Sequence, residues 1–347
     1  MKEALEGRRI GLAEGLSLFR EADLTSLGYV ADECRMKASP GNSASYGITT
    51  NINYTNICVS GCKFCAFYRS PDDPEAFTLT DEEILTKIQH SWEQGCKHLL
   101  LQGGLHPTLG LEYFCRLLRE IKQQYAIHIH AFSPPEIIHL SRMESLKTEE
   151  ILQALIGAGL DSMPGGGAEI LTRNSRAKLS PHKCTADEWL AVMAAAHGLG
   201  LPTTATMMFG HVESIEDRLE HLLRLRQLQD QTGGFTAFIP WPFQPGNSQL
   251  DSEPATSVDY LRTVAISRIV LDNITNIQAS ILTQGFKIAQ LALHFGANDI
   301  GEVMLEENVL HSTGRYHSLS QDEIVRLITD AGFTPVLRKP VAYNKNL

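Results

Sequence analysis

At 347 residues, 43% hydrophobic and 20% charged, the chain has the composition of an ordinary globular protein and the length of one large α/β barrel or two average domains. No run of about 18 apolar residues is present, which excludes a helical membrane span, and Met1–Arg9 lacks an apolar signal core, which predicts a cytoplasmic protein. The net charge of −10, without a basic block, argues against nucleic acid as a partner.

Leu12, Leu16, Leu18 and Phe19, then Leu27, Val30 and Ala31, follow helical spacing, so residues 9–36 read as helices. Ala38–Ser45 is a turn-rich break. Beyond it, short apolar runs alternate with amphipathic helices. The predicted strands are Ile48–Asn53, His98–Gln102, Ile127–Phe132, Leu160–Met163, Thr203–Phe209, Phe235–Ile239, Ile277–Ile281 and a short Phe295–Asp299. Thr80–Glu83 and Thr185–Glu188 are capping boxes that open helices. Ser214 opens another, with acids early and arginines later, as the helix dipole favours. Ser320–Glu323 starts a last helix that ends near Gly332, and Phe333–Leu337 follows as a short extended tail. Eight strand-then-helix units predict an α/β fold, a (β/α)8 TIM-type barrel that the short eighth strand closes or leaves partial. Residues 1–45 form an N-terminal helical extension, 46–312 the barrel and 313–347 a C-terminal addition within one structural domain.

The loop after the first strand carries Cys58, Cys62 and Cys65 at C-x3-C-x2-C spacing, with Phe64 before the third cysteine. Loops after the strands carry the chemistry of barrel enzymes, so this triad belongs at the mouth. Clustered thiolates hold soft metal, either zinc or an iron–sulfur cluster. Structural zinc takes four ligands, normally from two paired knuckles, and no second CxxC or HxxxH follows. Three cysteines would leave one iron of a [4Fe–4S] cluster open to a ligand. The other four cysteines, Cys34, Cys96, Cys115 and Cys184, are scattered and read as small buried hydrophobes rather than a disulfide framework.

Other motifs sit after other strands. Gly103 and Gly104 end the second, where backbone without Cβ can approach a ligand closely, and His106 follows. His128 and His130 share one face of the third, His130 nearer the mouth, with Glu136 beyond two prolines. Pro164–Ile170 is a glycine-rich turn in which Glu169 opens a helix. A carboxylate there would repel phosphate and suits ribose hydroxyls or an ammonium better. His211 and Glu213 follow the fifth strand, where substrate contacts are expected. Pro240–Asn247 is an aromatic loop stiffened by three prolines, and its Trp241 and Phe243 could flank an aromatic substrate. Gln278, Ser280, Glu306, Glu307 and Asn308 are weaker candidates.

The cysteine loop resembles the signature of radical S-adenosylmethionine (SAM) enzymes. The likeness extends to Ile52–Asn56, His130–Glu136, Gly165–Ile170, Thr204–Glu213 and Gly233–Asn247, covers about residues 8–340, and falls in the menaquinone and deazaflavin branch. Gly47–Thr50 departs from it, being neutral where relatives often carry charge. The resemblance implies that Cys58, Cys62 and Cys65 ligate a [4Fe–4S] cluster whose open iron chelates SAM. It implies that Phe64 lies near the adenine, that Gly103 and Gly104 meet the methionine amino group, and that Glu169 also contacts SAM. It further implies an electron donor such as flavodoxin or ferredoxin, and cleavage of SAM to a 5′-deoxyadenosyl radical.

Within the branch, Pro240–Asn247 favours the dehypoxanthine futalosine cyclases of menaquinone biosynthesis. There the radical would take hydrogen from C4′ of the ribose of dehypoxanthine futalosine. C4′ would then add to the benzoate ring, and loss of an electron and a proton would restore aromaticity. His211, Glu213 or His130 would take that proton, and Arg69 is one candidate for the substrate carboxylate. Aminofutalosine synthase and the FO synthase subunit share the cluster loop and are the alternatives. An electron-transfer iron–sulfur protein, which would coordinate every iron, is the reading from a different class.

Overall fold

A computed structural model describes residues 1–314 and 319–339. A short helix, Lys2–Leu5, and two longer ones, Leu12–Glu21 and Leu24–Ala38, precede the first strand. Asp23 caps the last of these by accepting the Ser26 N–H at 2.8 Å, and that helix buries Leu27, Val30 and Ala31 against the helix Ser257–Val270.

The strands are β1 (Ser43–Asn53), β2 (His98–Gln102), β3 (His128–Ala131), β4 (Thr203–Phe209), β5 (Phe235–Pro242), β6 (Asn276–Ile277), β7 (Asp299–Met304) and β8 (Thr334–Leu337). All pair in parallel, in the orders β3-β2-β1-β7 and β4-β5-β6. Single bridges join the two sheets at both seams. His130 pairs with Ser162 and Met163 with Thr203 on one side, and Gln278 pairs with Asp299 on the other. The ring of eight strand positions closes through those bridges, and the predicted α/β barrel is the observed fold.

Four expectations are corrected in detail. The strand predicted at Leu160–Met163 contributes only the bridges at Ser162 and Met163. Ile277–Ile281 shortens to β6 because Ile281 opens a short helix, Ile281–Gln284. Phe295 lies in a 3-10 turn, and the last barrel strand is Asp299–Met304. That strand lacks an apolar pattern because its Asp299 and Glu302 are paired with Arg338 from the far end of the chain. Finally, Thr334–Leu337 is no free tail, for it pairs with Ser43–Tyr46 and converts the predicted turn into the start of β1. The predicted C-terminal addition reaches beyond the described residues.

The helix starts fall where the caps predict them. Thr80, Thr185, Ser214 and Ser320 each accept the N3 amide of the helix they open. Leu99, Leu101, Ile129, Ala131, Ala205 and Met207 are fully buried, whereas the alternating His98, Leu100, Gln102, His128, His130, Thr204 and Thr206 line an axial cavity. Among the described residues, no helix is long and apolar enough to cross a membrane.

Candidate active site

The cysteine loop leaves the end of β1 and is pinned at both sides by backbone hydrogen bonds. Cys58 N–H donates to Arg69 O at 3.1 Å, Val59 N–H to Leu105 O at 3.1 Å, and Lys63 N–H to Leu179 O at 2.9 Å. Burial raises the Cys58 and Cys65 thiols above their usual range. Backbone N–H groups of Leu105 and Ser60 at Cys58, and of Tyr68 and Phe67 at Cys65, work against that rise by favouring the thiolate. Amides directed at cysteine sulfur are what an iron–sulfur cluster uses to set its potential, so the donor set fits one. Among the described residues, no three His, Cys, Asp or Glu side chains converge closely enough to hold a single metal ion.

The double glycine lies directly under this loop. A Cβ on Gly104 would stand 2.1 Å from Ile57 O and 2.9 Å from Cys58 Cβ, and one on Gly103 would stand 2.4 Å from the Tyr54 ring. Both positions must therefore lack a side chain for packing reasons alone. Gly103 N–H points at the Glu136 carboxylate, which also accepts from Tyr54 Oη at 2.8 Å and from Ser133 Oγ. Burial raises the Glu136 carboxyl to about 7, against the opposing effect of those hydrogen bonds.

Glu169 does not open a helix; it sits in the turn at φ +44°, and the next helix begins at Arg173. Its carboxylate is buried and receives Lys183 Nζ at 2.8 Å. Lys183 Nζ also lies 5.2 Å from the centroid of the Phe64 ring. Burial disfavours the Lys183 ammonium, but the nearby Cys62 sulfur and Glu169 carboxylate outweigh it and hold it above the usual lysine range. Lys183 thus joins Phe64, Cys62 and Glu169 into one constellation. Sequence reasoning missed it, because in the chain it is one cation in a polar stretch with no motif around it.

An axial cavity of about 480 Å³ adjoins these groups. Asn51, Thr204, Thr206, Ser280, Thr283 and Glu307 supply polar groups to its lining, and Ile239, Trp241, Leu282, Met304 and Leu310 supply apolar ones. His130 lines it, as do His128 and His98. Burial lowers the His130 imidazole to about 3, with His128 and Arg338 adding to the effect, so the ring is neutral near pH 7.

Three predicted substrate contacts are placed elsewhere. His211 and Glu213 do not line the cavity. They form a buried pair at 2.8 Å that Arg218 completes, and His211 Nε2 is bonded to Met208 O at 2.9 Å. Burial alone would raise the Glu213 carboxyl; the His211 hydrogen bond and the Arg218 charge outweigh it and hold it at about 2. With both ring nitrogens and both oxygens committed to the loop, neither group is free to take a substrate proton. Arg69 braces the cysteine loop instead, through Ala66 O and Tyr68 O at 2.9 Å and Glu75. Of the two loop aromatics, Trp241 reaches the cavity and Phe243 is buried beside His211. Among the weaker candidates, Gln278, Ser280 and Glu307 line the cavity, whereas Glu306 pairs with Lys87 and Asn308 bonds Glu306.

Residues 52–225 match the family model described as the radical SAM superfamily, and residues 232–346 match the one described as the CofH/MqnC C-terminal region. The chain is 42% identical over 340 residues to cyclic dehypoxanthine futalosine synthase of Halalkalibacterium halodurans, covering 97% of this chain and 92% of that protein. It is also 42% identical over 318 residues to the 5-amino-6-(D-ribitylamino)uracil–L-tyrosine 4-hydroxyphenyl transferase of Methanopyrus kandleri, covering 89% and 86%. The fold is similar to that of methylornithine synthase, with a TM-score of 0.75, 17% identity, and coverage of 99% and 98%. The chain belongs to the radical SAM superfamily, in the group that carries the CofH/MqnC C-terminal region.

Proposed function

We propose that this protein is a cyclic dehypoxanthine futalosine synthase, a radical SAM cyclase acting on dehypoxanthine futalosine. The observation that carries the reading is likeness to the synthase of H. halodurans along nearly the whole of both chains. The cavity supports it, because its lining offers apolar side chains for an aromatic ring and polar ones for sugar hydroxyls.

When bound at Cys58, Cys62 and Cys65, a [4Fe–4S] cluster with an open iron supplies the electron that cleaves SAM to a 5′-deoxyadenosyl radical. The amides of Ser60, Leu105, Phe67 and Tyr68 steady the thiolates. Glu169, Gly103, Gly104 and Phe64 form the SAM side of the site, with Lys183 balancing the charge of Glu169. Trp241 and Ile239 flank the benzoate ring, and Thr204, Thr206, Ser280 and Thr283 meet ribose and carboxylate oxygens. His130, neutral and on the cavity wall, takes the ring proton. The same reading includes a flavodoxin or ferredoxin as electron donor, a cytoplasmic location, and a 46–312 barrel with additions at both ends.

Anaerobic turnover of the reconstituted protein with dithionite, SAM and dehypoxanthine futalosine, followed by mass spectrometry, tests this. The expected result is 5′-deoxyadenosine with a product lacking two hydrogens. Turnover of L-tyrosine with 5-amino-6-(D-ribitylamino)uracil in its place would establish the second reading, which the equal identity to the M. kandleri transferase favours. An adenosyl adduct formed only from an enolpyruvyl benzoate would point to an aminofutalosine synthase. Cys62→Ala should abolish SAM cleavage, and retained cleavage would overturn the ligand assignment.

A further inference from the structure

The cavity does not stop at His130. It continues along the barrel axis past Ser162 and His128 to Asp161 and Pro202, at the N-terminal ends of the strands. That is the end opposite the cysteine loop. Ser162 Oγ lies 2.7 Å from Nδ1 of His130 and 2.7 Å from Nε2 of His128. His128 Nδ1 in turn lies 4.0 Å from Asp161 Oδ2. Asp161 is about a third exposed, at 34%, and is held by the Ile129 N–H at 2.7 Å and by Lys122 Nζ.

The tautomers along this chain follow from donor counting. A carboxylate facing Nδ1 of His128 favours the proton on that nitrogen and leaves Nε2 as an acceptor. Ser162 has one hydrogen to give. It donates that hydrogen to Nε2 of His128 and accepts Nδ1–H from His130. Nε2 of His130 is then bare, on the cavity wall, and has no hydrogen-bond partner among the described residues. Burial lowers both imidazoles, with Asp161 opposing and Lys122 reinforcing the effect at His128. Neutral rings with one N–H and one bare nitrogen are what proton transfer along the chain requires. His98 stacks on His128 at 5.2 Å and bonds Thr49 at 2.9 Å, so it supports the chain without being a link in it.

We propose that His130, Ser162, His128 and Asp161 form a proton-exit relay that carries the ring proton from the substrate end of the cavity to solvent at the opposite end of the barrel. The inference rests on the cyclase reading. In the final step the aryl C–H bond breaks and its proton goes to Nε2 of His130. Two of the three electrons left by that bond and the ring radical complete the aromatic system, and the third passes to a one-electron acceptor of the iron–sulfur class. Nδ1–H of His130 passes to Ser162, the Ser162 hydrogen to His128, and Nδ1–H of His128 to Asp161 or to a water bridging the 4.0 Å gap. Each link ends in its other tautomer, and no net charge remains inside the barrel. His130 touches substrate; Ser162, His128 and Asp161 act through it.

Ser162→Ala tests the relay in the reconstituted enzyme. The yield of cyclised product per 5′-deoxyadenosine should fall by about tenfold or more, short of the roughly 100-fold or more that a group exchanging the proton directly contributes, because Ser162 acts through His130. SAM cleavage itself should stay within about twofold, since no step before the proton loss uses the chain. Ser162→Thr, which keeps the hydroxyl, and free imidazole added to Ser162→Ala should each restore coupling. An unchanged product ratio in Ser162→Ala, or a loss that neither measure restores, overturns the relay. If Ser162→Ala does not fold, Asp161→Asn at the exposed end provides the same comparison. Nitrogen-15 NMR of histidine in the reconstituted protein, without substrate, should find Nδ1–H at His130; Nε2–H there overturns the relay independently of turnover. A wild type that cleaves SAM but never cyclises the substrate sinks the cyclase reading, and the tautomer measurement still decides the chain.

Discussion

Gly104 has no room for a methyl group, because the atoms it would meet are the Ile57 carbonyl and the Cβ of Cys58. Neither is the end of a flexible side chain, so Gly104→Ala must displace the loop. The expected cost is about 1–3 kcal/mol, with less iron bound per chain after reconstitution, measured by iron assay and denaturant unfolding. Gly157, in the helix Thr148–Ala158 with nothing within 4 Å of a Cβ, is the control; alanine there should stabilise by roughly 0.5–1 kcal/mol. Glu136 makes a pH prediction at the same scale. Its folded carboxyl, at about 7, lies above the ordinary glutamate value of 4.5, so the folded state holds a proton that the unfolded chain has released. Its contribution to stability is full below about 4.5 and is lost as pH rises through about 7. Urea unfolding from pH 4.5 to 8 should show Glu136→Gln losing less stability than wild type over that window, and parallel curves would refute the shift.

The helix Ala186–Gly198 shows how an element transmits to the site. Thr185 and Glu188 exchange hydrogen bonds at its start, at 2.7 and 3.1 Å, and Trp189 Nε1 donates to Gly166 O at 3.1 Å. The cap therefore fixes a helix that in turn fixes the glycine-rich turn beside Glu169. Thr185→Ala should cost about 1 kcal/mol in denaturant unfolding, and no change would show that the cap is dispensable. The strands contribute through their period of two. Because His98, Leu100 and Gln102 alternate with the buried Leu99 and Leu101, one strand supplies both cavity wall and core.

The barrel as a whole is unevenly bonded. β1 is paired over several residues with each of β2 and β7, and β4 runs its full length beside β5. The β6–β7 seam rests on one bridge, with Ala279 N–H to Asp299 O and Asn298 N–H to Ile277 O beside it. Opening of the ring should begin there. In amide hydrogen exchange, Ala279 and Asn298 should exchange about tenfold or more faster than the amides shared by β4 and β5, and uniform protection around the ring would contradict this.

The features legible in the sequence are those written within a few residues of one another. The C-x3-C-x2-C spacing, the four helix caps and the strand alternation each depend on neighbours close along the chain; the caps are found where they are predicted, as are the strands His98–Gln102 and Thr203–Phe209. Contacts across long separations were not legible. Lys183 meets Phe64 and Cys62, Ser162 stands between His128 and His130, and Arg338 neutralises Asp299 and Glu302. The same blindness placed His211 and Glu213 in the site, since a local reading finds a His and a Glu after a strand and cannot see Arg218 turning them inward. Spacing alone determined that this protein holds a cysteine loop suited to an open iron. Which side chains surround that loop was decided only by closure of the ring, because closure brings together strands whose residues lie hundreds of positions apart.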